Sequence, residues 1–167
     1  PQIIGLTKII DLSGDFRIQN KELYEKYYGT NHEAQKELKK FIYGLPEISQ
    51  IKNYKQSNYA NIANPGCFAI TAQLALFPLK NSIKKVDIVA ITGSSGSGKT
   101  PSETTHHPVR NHNLKSYKIG THQHIPEILQ TMNLKENQIN LVPTSGPITR
   151  GIHLTAFVEL KKNIDAK

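Results

Sequence analysis

Cysteine occurs once in the 167 residues, and that scarcity is informative. A lone thiol cannot build a disulfide framework within the chain, and a thiol-rich zinc site is excluded with it. A reducing compartment fits best, so a cytoplasmic location is expected. Long apolar runs are also missing; none reaches the roughly eighteen residues needed to span a bilayer. The opening Pro1-Gln2-Ile3-Ile4-Gly5 has neither the basic start nor the long apolar stretch of a signal peptide. It also lacks an initiating Met, so the sequence is expected to be a piece of something longer. Acidic residues are outnumbered, 13 against 21 basic, and the net charge of +8 points to anionic partners. Nucleic acid and a phosphorylated ligand both satisfy that sign. The lysines are spread along the chain and do not alternate with aromatics, so most of the charge reads as a solvated surface.

What is present reads as one globular domain with a sizeable core. Ile9 to Leu12 predicts a short buried strand. Asn20 caps a helix through about Tyr28. Asn31 caps a second, with Ala34, Leu38 and Phe41 on one face, stopped by Gly44 and Pro46. Residues 52 to 57 read as a surface loop, with a short strand from about Tyr59 to Ala63. After the turn Asn64-Pro65-Gly66, a helix is expected with Ile70, Leu74 and Phe77 on its face, closed by Pro78. Val86 to Ile91 and Ile139 to Val142 predict strands. So does Tyr117 to Thr121, followed by a helix from Pro126 to about Met132. From Ile152 to Leu160 apolar residues alternate with His153, Thr155, Phe157 and Glu159, the pattern of a half-buried strand. Strands and helices mix without a regular βαβ rhythm, so the fold class is α+β, a mixed sheet covered by helices.

Cys67 follows Asn64-Pro65-Gly66 at the start of a predicted helix. Helix N-termini carry unsatisfied N–H groups and partial positive charge, which stabilise a thiolate and can bind an oxyanion. A small buried hydrophobe is the plainer role for a single cysteine. A cysteine nucleophile acting on a carbonyl needs a base, usually histidine, and His122-Gln123-His124 lies just before the Pro126 helix. A metal site with Glu127 as a third ligand is the alternative for the same pair, and the absence of a zinc-protease helix motif counts against it.

Gly93-Ser94-Ser95-Gly96-Ser97-Gly98-Lys99-Thr100 matches the P-loop pattern in full and follows a predicted strand. Pro101 and a His-rich stretch then stand where a long helix should begin, and no strand ending in Asp follows downstream to hold magnesium. A ligand-binding loop, with glycines allowing close backbone approach, therefore fits better than a nucleotide triphosphatase. Arg17, Lys99, Arg110 and Arg150 sit in turns and together would suit a substrate with several anionic groups.

These segments occur together in one known family. Asp11-Leu12-Ser13-Gly14-Asp15-Phe16-Arg17, Tyr43-Gly44-Leu45-Pro46-Glu47 and Asn64-Pro65-Gly66-Cys67-Phe68-Ala69 resemble successive signatures of the N-acetyl-gamma-glutamyl-phosphate reductases. So do Gly93 to Pro101, Tyr117 with His122 to Ile128, and Pro147 to Ile152, in the same order over nearly the whole chain. The resemblance implies a catalytic domain like that of glyceraldehyde-3-phosphate dehydrogenase. Residues 1–18 would be the remaining edge of a dinucleotide-binding domain, and residues 19–167 the catalytic, substrate and subunit-contact domain. No G-x-G-x-x-G occurs here, so most of the cofactor fold is missing from this segment.

The implied reaction converts N-acetylglutamyl 5-phosphate and NADPH to the semialdehyde, phosphate and NADP, in arginine biosynthesis. Cys67 would attack the acyl phosphate, the resulting thioester would accept hydride, and His122 would serve as acid/base. Ser95, Gly96 and Gly98 would flank the NADP, and Arg110 and Arg150 would bind substrate anions. No metal is implied, and the full-length protein would be a homo-oligomer. An enzyme similar to aspartate-semialdehyde dehydrogenase, and a P-loop NTPase module, are the alternatives. Where the family pattern has Thr three residues after the cysteine, this sequence has Ile70, with Thr71 next.

Overall fold

The computed structural model describes residues 4–48 and 61–162. The loop expected at 52 to 57 and the start of the strand expected from Tyr59 lie outside the described residues. Two sheets organise the rest. Strand β1 (Ile9–Asp11) and strand β2 (Phe41–Tyr43) flank β3 (Asn61–Ala63) in a small parallel sheet of order β1-β3-β2. Strands β4 (Ile83–Thr92), β5 (Lys115–Ser116), β6 (Ile139–Ser145) and β7 (Ile152–Leu160) form a mixed sheet of order β5-β6-β4-β7. In it β4 runs parallel to β6 and antiparallel to β7.

Among the described residues, four α-helices complete the fold. Helix α1 (Lys21–Tyr28) starts where Asn20 Oδ1 accepts the Leu23 N–H at 3.0 Å, and ends at Gly29, whose φ of 71° supplies the left-handed cap. Helix α2 (Cys67–Leu76) and helix α4 (Ile125–Met132) pack side by side on the mixed sheet, whereas α3 (His107–Arg110) is a single turn in the polar loop. The core is formed by Phe68, Ala69, Ala72 and Leu76 of α2 against Ile125, Ile128, Leu129 and Met132 of α4. Beneath them lie Val86, Ile88 and Ala90 of β4 and Leu141 of β6. On β7 the apolar residues of the alternating pattern are half-buried, and their alternates face out.

Several elements depart from the sequence reading. Helix α2 buries Phe68, Ala69, Ala72, Gln73 and Leu76, while Leu74 and Phe77 are 41% and 39% exposed. The segment is apolar on nearly every side, so spacing alone picks out more than one plausible face. The helix expected after Asn31 is a 3-10 segment, Gln35–Lys40, without a side-chain cap. Phe41 is drawn instead into β2 by its pairing with Asn61. β1 is not buried: Ile10 is 66% exposed, and Ile9 and Asp11 are half-buried. The strand expected at Tyr117 to Thr121 is displaced to β5, because positive φ at Lys118 and Gly120 turns the chain.

Candidate active site

Cys67 is the first residue of α2, and its placement follows from the preceding turn. Gly66 is the N-cap, extended at φ −72° and ψ 150°, and the first helical bond runs from the Ile70 N–H to the Gly66 carbonyl at 2.9 Å. The N–H groups of Cys67, Phe68 and Ala69 therefore have no acceptor within the helix. Cys67 is exposed and opens onto a cavity of about 650 Å³ between the start of α2, the segment before α4, and the polar loop after β4.

His122 and His124 form one wall of this cavity and are both buried. Their rings are 4.7 Å apart, and each packs on Phe68, the residue after the cysteine. The His124 N–H donates to His122 Nδ1 at 3.2 Å. Burial, reinforced by the Lys118 ammonium, pushes the His122 pKa down to about 4. Burial does the same for His124, to about 3, helped by the charges of His122, Arg17 and Lys118. Both imidazoles are thus neutral near pH 7. His124 Nδ1 is buried without a partner, and its Nε2 edge lies against Gly66 Cα so closely that a Cβ there would strike the ring.

The rest of the lining is basic and polar. Arg110 donates to Ser97 Oγ at 3.1 Å and to the Thr92 carbonyl at 3.2 Å, while its Nε is buried and unpartnered. Lys115, Tyr117 and Lys118 also line the cavity, and the Tyr117 ring packs edge-on against His122 with centroids 5.8 Å apart. Burial raises the Tyr117 pKa, and the proximity of Cys67 adds to that shift.

Behind the cysteine lies a buried polar cluster. Glu127, on α4, has no exposed surface; its Oε2 accepts the Gly66 N–H at 2.9 Å and the Tyr43 hydroxyl at 2.8 Å, and its Oε1 faces Arg17 Nη1 at 3.4 Å. Burial raises its pKa, against the opposing pull of the Gly66 N–H, Arg17 and Tyr43. Gln73, buried on α2, donates to the Glu127 backbone carbonyl and to Thr131 Oγ1, both at 2.9 Å.

The matching family model, described as "Semialdehyde dehydrogenase, dimerisation domain", covers residues 67–167, more than half of the chain and beginning at the cysteine itself. The chain belongs to this semialdehyde dehydrogenase family. N-acetyl-gamma-glutamyl-phosphate reductase of Methanocaldococcus jannaschii is 44% identical over 162 residues, covering 95% of this chain and 46% of that protein. The enzyme of the same name from Listeria welshimeri is 42% identical over 171 residues, covering 98% and 48%. The chain therefore spans about half the length of the curated relatives it matches. Among solved structures, aspartate semialdehyde dehydrogenase II from Vibrio cholerae superposes with a TM-score of 0.58 at 20% identity, over 76% of this chain and 46% of that one. That likeness carries the fold alone. It agrees with the α+β class and with a mixed sheet covered by helices.

Within this semialdehyde dehydrogenase domain the expected residues divide. Cys67, His122, His124, Arg110 and Gly96 converge on the cavity. Ser95, Gly98 and Arg150 do not line it. The Ser95 N–H is bonded to the Thr149 carbonyl at 3.0 Å, and Gly93 sits 2.7 Å, measured from an ideal Cβ, from the Arg150 backbone nitrogen. These contacts bind the glycine loop to the turn before β7 and leave the Arg150 side chain exposed, outside the cavity.

The P-loop alternative fails on geometry: Ser94–Ser97 is a 3-10 turn, Gly98 has φ 79°, and no helix begins at exposed Lys99. Among the described residues no group of three or more His, Cys, Asp or Glu side chains is placed to hold a metal. Likewise no helix among them is long and apolar enough to cross a membrane. Thr71, next to the departure at Ile70, donates its hydroxyl to the Cys67 carbonyl at 2.9 Å. Sequence reasoning assigned no role to Tyr43 or Gln73. The available signal for Gln73 was a polar residue in an otherwise apolar helix.

Proposed function

We propose that this chain is the catalytic portion of an NADPH-dependent N-acetyl-gamma-glutamyl-phosphate reductase, with Cys67 as nucleophile and His122 as acid/base. The observation that carries the reading is an exposed thiol at a helix start, facing two buried histidines and a basic wall across one cavity. The names of the relatives supply the substrate, and the place in arginine biosynthesis is what the family resemblance implies.

The chain's own groups support an acyl-transfer site. The N–H groups at the start of α2, which have no acceptor within the helix, can stabilise charge on an oxygen bound beside Cys67. Attack on the acyl phosphate forms the C–S bond and releases phosphate, leaving the acyl group as a thioester on Cys67. Arg110, with its unpartnered Nε, and Lys115 and Lys118 offer donors and charge for the anionic ends of the substrate. With Nδ1 occupied by the His124 N–H, neutral His122 carries its proton on Nε2 and offers that N–H as a hydrogen-bond donor to the developing oxyanion.

A nicotinamide supplies hydride when bound. Gly96 and Ser97 border the cavity and suit the close approach of a flat ring, so they are the residues that would flank it. The sequence has no glycine fingerprint for the pyrophosphate, and in this proposal that grip lies in the rest of a longer protein. NADP rather than NAD belongs to the proposal, as does a cytoplasmic setting that keeps the thiol reduced. A homo-oligomer is proposed on the family's description as a dimerisation domain and on Val89 and Phe157, which are exposed on the outer face of the mixed sheet. Residues 1–18 are proposed as the edge of the cofactor domain. Because β2 and β3 join the sheet of β1, that edge extends in this proposal through Ala63, and the catalytic domain proper starts at Cys67.

The test is NADPH oxidation by the full-length protein with N-acetylglutamyl phosphate. Turnover is expected and should vanish in Cys67→Ser, and the 167-residue chain alone should give none, because it cannot hold the nicotinamide against the thioester. Turnover with aspartyl phosphate in preference would favour the aspartate-semialdehyde reading instead.

A further inference from the structure

The turn that delivers Cys67 to α2 presents two backbone groups of opposite kind, a carbonyl at Asn64 and an N–H at Gly66. Each is met by one half of a buried ion pair. Arg17 Nε donates to the Asn64 carbonyl at 2.7 Å, and Glu127 Oε2 accepts the Gly66 N–H at 2.9 Å. The two side chains then face each other at 3.4 Å, with Arg17 only 8% exposed and Glu127 fully buried. We propose that Arg17 and Glu127 act together as a positioning device, clamping both ends of the Asn64-Pro65-Gly66 turn and so fixing where the Cys67 sulfur stands relative to the histidines. The inference rests on the reading of Cys67 as the nucleophile.

Three features favour this role over the simpler one of an arginine waiting for a substrate anion. The guanidinium is already engaged on three sides: Nε at Asn64, Nη2 at the Leu12 carbonyl at 2.9 Å, and Nη1 at Glu127. Next, Glu127 lies three residues after His124 on the same chain segment, so one carboxylate links the histidine-bearing element to the cysteine-bearing one. Finally, a turn needing one donor and one acceptor is matched by a pair that is neutral as a whole. A lone Arg or Glu there would satisfy one end and leave a buried charge uncompensated.

Glu127→Gln is not a neutral replacement under this inference. A single amide oxygen cannot serve both the Gly66 N–H and Arg17, and its NH₂ group must confront one of those donors. Arg17→Lys keeps the charge but loses the fork that spans Asn64, Leu12 and Glu127.

The experiment uses the full-length protein and follows iodoacetamide labelling of the Cys67 peptide against pH by mass spectrometry, alongside kcat and KM for the acyl phosphate. Arg17→Lys and Glu127→Gln should each displace the labelling profile and lower kcat by roughly tenfold or more, with KM changed less than about twofold, since small misplacements act on the reacting geometry. The double variant should be about as impaired as the worse single, because the two residues act as a unit. A raised KM with unchanged kcat and labelling in Arg17→Lys would make Arg17 a substrate-binding group and overturn the clamp. A lowered melting temperature with labelling and kcat unchanged would make the pair ordinary buried polar structure, which also overturns it. Amide exchange by NMR needs no variant: the Gly66 N–H should be strongly protected in the wild type, and rapid exchange there would refute the inference. Labelling and amide exchange require no substrate. A full-length protein without reductase activity would therefore sink the proposed function while these two arms still read the clamp.

Discussion

The His124 N–H donates to His122 Nδ1 at 3.2 Å, and this bond fixes the tautomer of neutral His122. With Nδ1 acting as acceptor, neutral His122 keeps its proton on Nε2, the nitrogen left for a ligand. The Nε2 edge of His124 is instead pressed against Gly66. In the full-length protein His122→Ala should cut kcat by roughly 10²–10⁴, the usual worth of general acid–base catalysis, and His124→Ala by much less. The reverse ranking would move the role to His124.

The two histidines also set a pH dependence of stability. Their folded pKa values, about 4 and about 3, lie below the unfolded value of roughly 6.5. As pH falls below that unfolded value, the unfolded chain takes up protons that the folded chain refuses. The stabilisation is full above about pH 6.5 and is lost progressively down to the folded values. Glu127 runs the other way: its raised pKa gives a contribution present below the unfolded carboxyl value and lost as pH rises through the folded one. Urea midpoints should fall between pH 7 and 4, and His124→Gln should flatten the fall. A profile already flat in the wild type would contradict the neutral, buried assignment.

Gly66 is required for space, since its φ of −72° is open to any residue. A Cβ there would come within 2.5 Å of His124 Cδ2, and the buried ring has little room to retreat. Gly66→Ala should destabilise the protein by about 1–3 kcal/mol, the usual range for overpacking. His124→Ala in the same chain should recover much of that loss. Additive losses in the double variant would show that the contact is not the cause.

The sequence made much of this site legible because its signals are local. Asn-Pro-Gly before an apolar run announces a helix start, and Cys67 stands at its first position. The strict alternation from Ile152 to Leu160 announces β7, and Pro126 announces α4. Illegible were the features set by distant partners. Which face of α2 is buried depends on α4 and β4, since Leu74 and Leu76 look alike in sequence. Phe41 fits a helix until β3 claims it. The role of Glu127 could not be read from its neighbours, because Gly66 is 61 residues away and Arg17 is 110. The position of Arg150 was illegible for a similar reason: only the three-dimensional contact between Gly93 and the turn before β7 shows that its side chain lies outside the cavity.

The Gly93 to Thr100 segment has the letters of a P-loop without its geometry, and nucleotide binding should follow the geometry. Calorimetry with Mg-ATP should show no micromolar binding, and Lys99→Ala should leave the titration unchanged. Micromolar affinity abolished by Lys99→Ala would restore the triphosphate reading.

The most direct test of the central claim is the mass of the Cys67 peptide after the full-length protein is mixed with N-acetylglutamyl phosphate in the absence of NADPH and quenched in acid. The account predicts an N-acetylglutamyl thioester on Cys67, formed as phosphate is released and lost when NADPH is added before the quench. Release of phosphate dependent on the intact site, with Cys67 unmodified at every time point, would contradict it.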